Sequence, residues 1–166
     1  MKQQNKILNQ DKIDKIIKRI ALQIHEKNQN ESEIFLIGIY KNGYILSELI
    51  KNELEIISNS KINLCCLKIN KKEPFERIES DFKLIQMKNK SIVLIDDVLN
   101  SGKTLIYGVK YLLEIPLSNF NTAVLIDRNH KRFPIKIDFK GISLSTSIEE
   151  NVNVVFDKNK SYAIID

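Results

Sequence analysis

Residues 96–104, DDVLNSGKT, gather side chains of a kind and spacing that can do chemistry. Two adjacent carboxylates, Asp96 and Asp97, follow the apolar run SIVLI and lead into a turn of small and polar residues. Acids at a strand end can accept hydrogen bonds from two vicinal hydroxyls, as on a ribose ring. Ser101, Gly102, Lys103 and Thr104 then open the stretch LIYGVKYLLEI, which reads as a helix. Free backbone N–H groups at such a helix start, with the Ser101 and Thr104 hydroxyls, can hold a phosphate monoester. Gly102 permits close backbone approach, or a positive φ where the turn needs one. Carboxylates for the sugar and a small-residue cradle for the phosphate together describe a ribose-5-phosphate site.

Two other readings compete. A Walker A loop needs G-x-x-x-x-G-K-[ST], and Asp97 stands where its first glycine belongs. A carboxylate there would face phosphates in place of a backbone amide, and the residues after Thr104 are too few to supply a Walker B strand and the sheet beyond it. Alternatively, the two acids merely cap the following helix and Lys103 is solvated. The appended Ser-Gly-Lys-Thr turn favours the sugar-phosphate reading over both.

These residues need a scaffold, and the hydrophobic pattern predicts one. DKIDKIIKRIALQIHEKNQ places Ile13, Ile16, Ile17, Ile20, Ala21 and Ile24 at helical spacing, so an amphipathic helix is expected. EIFLIGIY reads as a buried strand, NGYILSELIKNEL as a helix, KINLCCLKI as a strand, SIVLIDD as a strand and FNTAVLID as a strand. Strands alternating with helices imply right-handed βαβ units and a mainly parallel sheet. Residues 70–81 are polar and aperiodic and predict a mobile loop. PIKIDFKGISL, NVNVVF and SYAIID are extended segments without helices between them, expected to complete the sheet edge and a small appended lobe. Ligands of such sheets bind where strand C-terminal ends meet helix N-termini. YKNG, DDVLNSGKT and DRNHKRF all fall on that edge.

A chain of 166 residues with 43% hydrophobic residues suits one well-buried domain, taken as 1–166. The net charge of +5 suits anionic ligands and, weakly, nucleic acid. Cys65 and Cys66 are adjacent in a strand and point to opposite faces, which predicts reduced, packed thiols and a cytoplasmic protein. No apolar run approaches the ~18 residues of a membrane span, so no membrane partner is expected.

The acidic turn resembles the phosphoribosyl-pyrophosphate signature of type I phosphoribosyltransferases: four apolar residues, two acids, apolar residues and a T/S-G-x-T turn. RIALQIHEKN, FLIGIYKNGYILSELI, LIDRNHKRFPIKIDFKG, TSIEENVNVVF and SYAIID resemble, in order, blocks of the pyrimidine-operon attenuator/uracil phosphoribosyltransferase subgroup. The resemblance implies an α/β fold with a mainly parallel central sheet, flanking helices and a small hood lobe, here from about 135–146 with the chain-terminal strands. It implies transfer of ribose-5-phosphate from phosphoribosyl pyrophosphate to a nucleobase, uracil favoured, with release of pyrophosphate. Mg²⁺ would be held mainly by the substrate.

By the same resemblance Asp96 and Asp97 bind the ribose, Ser101 to Thr104 the 5-phosphate, and Lys41, Asn42 and Gly43 the pyrophosphate. Lys41, Asp96, Asp97 and Arg128 are then the catalytic set. Asp127, Asp138, Phe139 and Lys140 are expected near the base. The subgroup's T-R-G is Lys41-Asn42-Gly43 here, its D-Y-V-G-K-N places Lys140 and Ile142 differently, and its Tyr-Arg-Asp-Asp loop is replaced by INKKEPFERIES, with Lys71, Lys72 and Arg77. A nucleotide-sensing RNA-binding regulator is the alternative function, through Arg19, Lys131, Arg132 and Lys136, with Leu22 where relatives often have histidine and His25 one turn away. A homodimer or higher homo-oligomer is also implied.

Overall fold

A computed structural model describes residues 5–147, 149–158 and 160–166. The chain runs β1 (Asn5–Leu8), α1 (Gln10–Lys27), β2 (Glu33–Ile39), α2 (Asn42–Ile57), β3 (Lys61–Lys68), β4 (Glu79–Ser80) and a 3₁₀ turn, Leu84–Met87. There follow β5 (Ser91–Leu99), α3 (Lys103–Leu112), β6 (Asn119–Asp127), β7 (Phe139–Ser143), β8 (Val152–Val155) and β9 (Tyr162–Ile165). Six strands form the central sheet in the order β4-β3-β2-β5-β6-β7, with only β4 antiparallel. Strands β1, β9 and β8 form a separate three-stranded antiparallel sheet.

The central strands are apolar on both faces because both are covered. Along β2, Ile34 and Leu36 pack with α1 and α2, while Phe35, Ile37 and Ile39 pack with Leu105 and Leu112 of α3. All six apolar positions read as a stripe on α1 are buried. Asn9 caps that helix, its side chain accepting from the Lys12 N–H at 3.0 Å. Cys65 is buried and Cys66 half-buried, both as free thiols, and burial pushes the Cys65 thiol up to about 12.

The structure departs from the sequence reading at several places. β1 carried no signal in its four residues and exists because it pairs with β9 at the far end of the chain. Residues 70–81 form a loop only in part, since Glu79 and Ser80 pair with Lys68 and Leu67. Of the stretch 135–146, Phe139–Ser143 is the outermost strand of the central sheet, and the small lobe is made by β1, β8 and β9. β5 continues beyond the acidic pair to Leu99.

Candidate active site

The acidic pair lies near the C-terminal end of β5 and is largely buried there. Every residue of β5 is buried, and Asp96 and Asp97 are 3% and 7% exposed. Burial, and then the neighbouring charge of Asp97, push the Asp96 carboxyl up to about 8, with the Lys71 ammonium acting against both. Asp96 Oδ1 accepts from the Asp97 N–H at 2.9 Å, and Asp97 Oδ2 accepts from Asn42 Nδ2 at 2.8 Å. Lys71 reaches from the loop after β3 to within 3.8 Å of Asp96 Oδ1 and 4.0 Å of Asp97 Oδ1.

Gly43 lets this happen. A Cβ there would meet the Ile95 carbonyl oxygen at 2.6 Å and Asp96 Cα at 2.9 Å, so only glycine brings the start of α2 against β5. Lys41 is exposed just ahead of that helix, the peptide between Tyr40 and Lys41 is cis, and the Tyr40 N–H donates to the Leu67 carbonyl at 3.0 Å.

Beyond the acids, Asn100 to Gly102 turn the chain into α3. Gly102 takes φ 81°, the left-handed region where a side chain is strained. The Lys103 N–H donates to Ser101 Oγ at 3.2 Å. The Ser101 carbonyl is held from outside, accepting from the backbone N–H groups of Arg132 and Phe133 at 2.8 and 3.1 Å. Lys71, Asp96, Ser101, Gly102, Lys103 and Thr104 line one cavity. Lys103 turns toward the loop: its Nζ donates to the Lys72 carbonyl at 3.3 Å and lies 6.0 Å from the Phe75 ring centre. A P-loop lysine aimed into its own phosphate cradle is a different arrangement.

Asp127 and Arg128 fall on the same sheet edge, both buried. Asp127 accepts from the Asn129 N–H at 2.9 Å and lies 3.5 Å from Lys140 Nζ. Arg128 engages four of its five N–H donors: with Asn100 Oδ1 at 2.8 Å, Thr146 Oγ1 at 3.1 Å, and the Ser147 and Glu150 carbonyls. These contacts tie Thr146, Ser147 and Glu150 to Asn100 in the turn before α3.

Two expected base contacts are not brought to the site. Phe139 pairs with Ala123, four residues before Asp127 in a parallel register, which places it roughly 13 Å down the sheet. It is buried in the core with α1. Asp138 accepts from the Thr122 N–H at 3.0 Å and pairs with Lys136 at 3.2 Å, also at that far end. Lys140 alone of the β7 candidates reaches the edge, through the length of its side chain. Conversely, Lys71 joins the site although its loop shares no motif with the relatives, and only its charge could have flagged it.

A mainly parallel sheet carrying two buried acids at one strand end, a glycine-gated turn into a helix and a small covering lobe defines a type I phosphoribosyltransferase fold. The phosphoribosyl transferase domain family matches residues 3–158, and the chain belongs to that family. Within it the chain is PyrR-like. It is 33% identical over 157 residues to the bifunctional protein PyrR of Fusobacterium nucleatum, covering 89% of this chain and 88% of the relative. It is 30% identical over 176 residues to that of Caldicellulosiruptor saccharolyticus, covering 100% and 97%. By fold it is similar to the hypoxanthine phosphoribosyltransferase of Trypanosoma cruzi, with a TM-score of 0.79, 14% identity, and 97% and 95% of the two chains covered. A hypoxanthine-guanine phosphoribosyltransferase of Bacillus anthracis superposes with a TM-score of 0.73 at 13% identity, covering 87% and 84%. No described helix is long and apolar enough to cross a membrane.

Proposed function

We propose that the protein transfers ribose-5-phosphate from phosphoribosyl pyrophosphate to a nucleobase, with uracil as the preferred acceptor. The observation that carries this reading is that Asp96 lines the same cavity as the Ser101–Thr104 turn, with Asp97 next to it and Lys71 within 4.0 Å of both carboxylates. Asp97 orients the ribose by accepting from its hydroxyls, with Asp96 beside it. Ser101, Gly102 and Thr104 hold the 5-phosphate with backbone N–H groups and hydroxyls at the start of α3. The C1–O bond breaks with its electron pair leaving on pyrophosphate, a base nitrogen bonds to C1, and the proton of that nitrogen passes to the departing pyrophosphate or to water. Lys41, the Asn42 and Gly43 backbone and Lys71 face the departing charge, which is where preorganised cations lower the barrier.

Among the described residues no group of three or more His, Cys, Asp or Glu is placed to hold an ion. The donor set fits a Mg²⁺ that is carried on the substrate and faced by one or both acids of the pair. When bound, it would neutralise charge on the leaving pyrophosphate. Lys71 must yield part of its position beside the pair as the ribose and its cation enter.

The assay is nucleotide formation from phosphoribosyl pyrophosphate, Mg²⁺ and each of uracil, hypoxanthine and guanine. Uridine monophosphate is the expected product. Consumption of a purine alone would overturn the uracil reading, and no consumption of any base would overturn the transferase reading.

An RNA-binding role is the second reading, favoured by exposed Lys131 and Arg132, which with His130 line a surface cleft beside the Ser101–Thr104 turn. Arg19 contributes less freely, because its guanidinium donates to the Lys140 and Gly141 carbonyls at 3.1 and 2.6 Å. Leu22 is 55% exposed on the same helix. Affinity for RNA that falls steeply with salt is the expected signature of this role.

A further inference from the structure

Asn42 is the first residue of α2, and the residue before it, Lys41, gives that helix no side-chain cap. The Asn42 side chain reaches across to two other elements. Its amide nitrogen donates to Asp97 Oδ2 at 2.8 Å and to the Val154 carbonyl at 3.0 Å. Both partners are acceptors, so only the nitrogen can face them, and its two hydrogens serve one each. Asp97 belongs to the central sheet and Val154 to β8 of the small sheet. One planar group therefore touches both the ribose acid and the backbone of the small sheet.

We propose that Asn42 is a positioning residue that couples the small sheet to the reaction: it orients the Asp97 carboxylate and latches β8 through the same amide nitrogen. The proposal rests on the reading of Asp97 as the ribose acid. Asp97 Oδ1 is left to face the incoming sugar, while Oδ2 is fixed by Asn42. Seating the lobe and presenting the carboxylate then become one event, and a lobe that swings away also loosens the acid.

Three forms of the full chain test this: wild type, Asn42→Ala and Asn42→Asp. In the ligand-free protein, amide hydrogen exchange of Val152–Val155 should quicken about fivefold or more in Asn42→Ala, with β5 unchanged. Its kcat/KM for phosphoribosyl pyrophosphate should fall on the order of 10- to 100-fold, equally at every pH, as expected for a lost bond to a charged group. Asn42→Asp distinguishes positioning from helix initiation. An acid in the first turn of a helix is ordinarily favourable, so a merely structural residue would tolerate it. A positioning residue would not, because an ionised carboxyl cannot donate and would face Asp97 and Asp96, with Lys71 and Lys41 the nearby cations.

The Asn42→Asp deficit should therefore widen with pH, by up to about tenfold per pH unit as the introduced carboxyl ionises. Unchanged β8 exchange in Asn42→Ala, or a fully active Asn42→Asp at all pH, overturns the proposal alone. A wild type that consumes no base overturns the functional reading, and the positioning role falls with it.

Discussion

Replacing Asp96 with asparagine isolates what burial does to the acidic pair. The carboxyl is 3% exposed and raised from 3.8 to about 8, by burial first and by Asp97 second. A carboxyl raised in this way supports folding in its protonated form. Its contribution is complete below pH 3.8 and is withdrawn as pH climbs to about 8. At about 1.36 kcal/mol per pH unit the whole span amounts to roughly 5–6 kcal/mol. Relaxation and water entry bring the cost of a buried ion down, so about 2–4 kcal/mol is the expected effect. Asparagine keeps the shape, carries no charge at any pH, and its oxygen still accepts from the Asp97 N–H. In urea titrations Asp96→Asn should match wild type near about pH 4 and exceed it by about 2–4 kcal/mol near about pH 9, while turnover is lost. A difference that stays flat across this range, or a wild type that is the more stable at high pH, would refute the reasoning. Lys71 would then be stabilising the ionised acid more than burial opposes it.

Three other perturbations follow from the structure. Gly102→Val should abolish phosphoribosyl-pyrophosphate binding in calorimetric titration, since φ 81° is strained for any side chain and a Cβ would lie 2.6 Å from Ile135 Cγ2. Lys103→Ala should keep binding within about tenfold while slowing turnover, because it releases only the contacts to Lys72 and Phe75; Mg²⁺–ATP binding lost only in that variant would show a P-loop instead. Phe139→Ala should lower stability by about 3–5 kcal/mol without changing the preferred base, as expected of a core aromatic; a switch in base preference with stability intact would return Phe139 to the site.

What was legible in the sequence was what repeats locally. The Ile stripe of α1, the apolar runs of β2 and β5 and the acid-to-helix turn each state their role within ten or so residues. Burial of the acidic pair was not legible, because it depends on Gly43 letting α2 close over β5 from a distant part of the chain. The register of β7 was equally hidden: a parallel strand shifted by four residues moves Phe139 from the site edge into the core with no change in pattern. Arg128 looked like a free cation because its partners, Asn100, Thr146 and the carbonyls of residues 147 and 150, come from segments with no periodicity of their own. Lys71 was visible as one charge among several, and only the path of its loop selects it.

The pairing of β1 with β9 has a kinetic meaning. Asn5 lies opposite Ile165, so the small sheet joins the two ends of the described chain. The central sheet is assembled from neighbours much nearer in sequence, whereas this pairing must close nearly the whole polypeptide into a ring before any ladder bond forms. The entropy of that closure grows only slowly with length, but it must be met before the contact is rewarded. β8 and β9 can pair locally as a hairpin, so it is the docking of β1 onto β9 that is expected to form last and open first, leaving β8, which carries Val154, at the other side of β9.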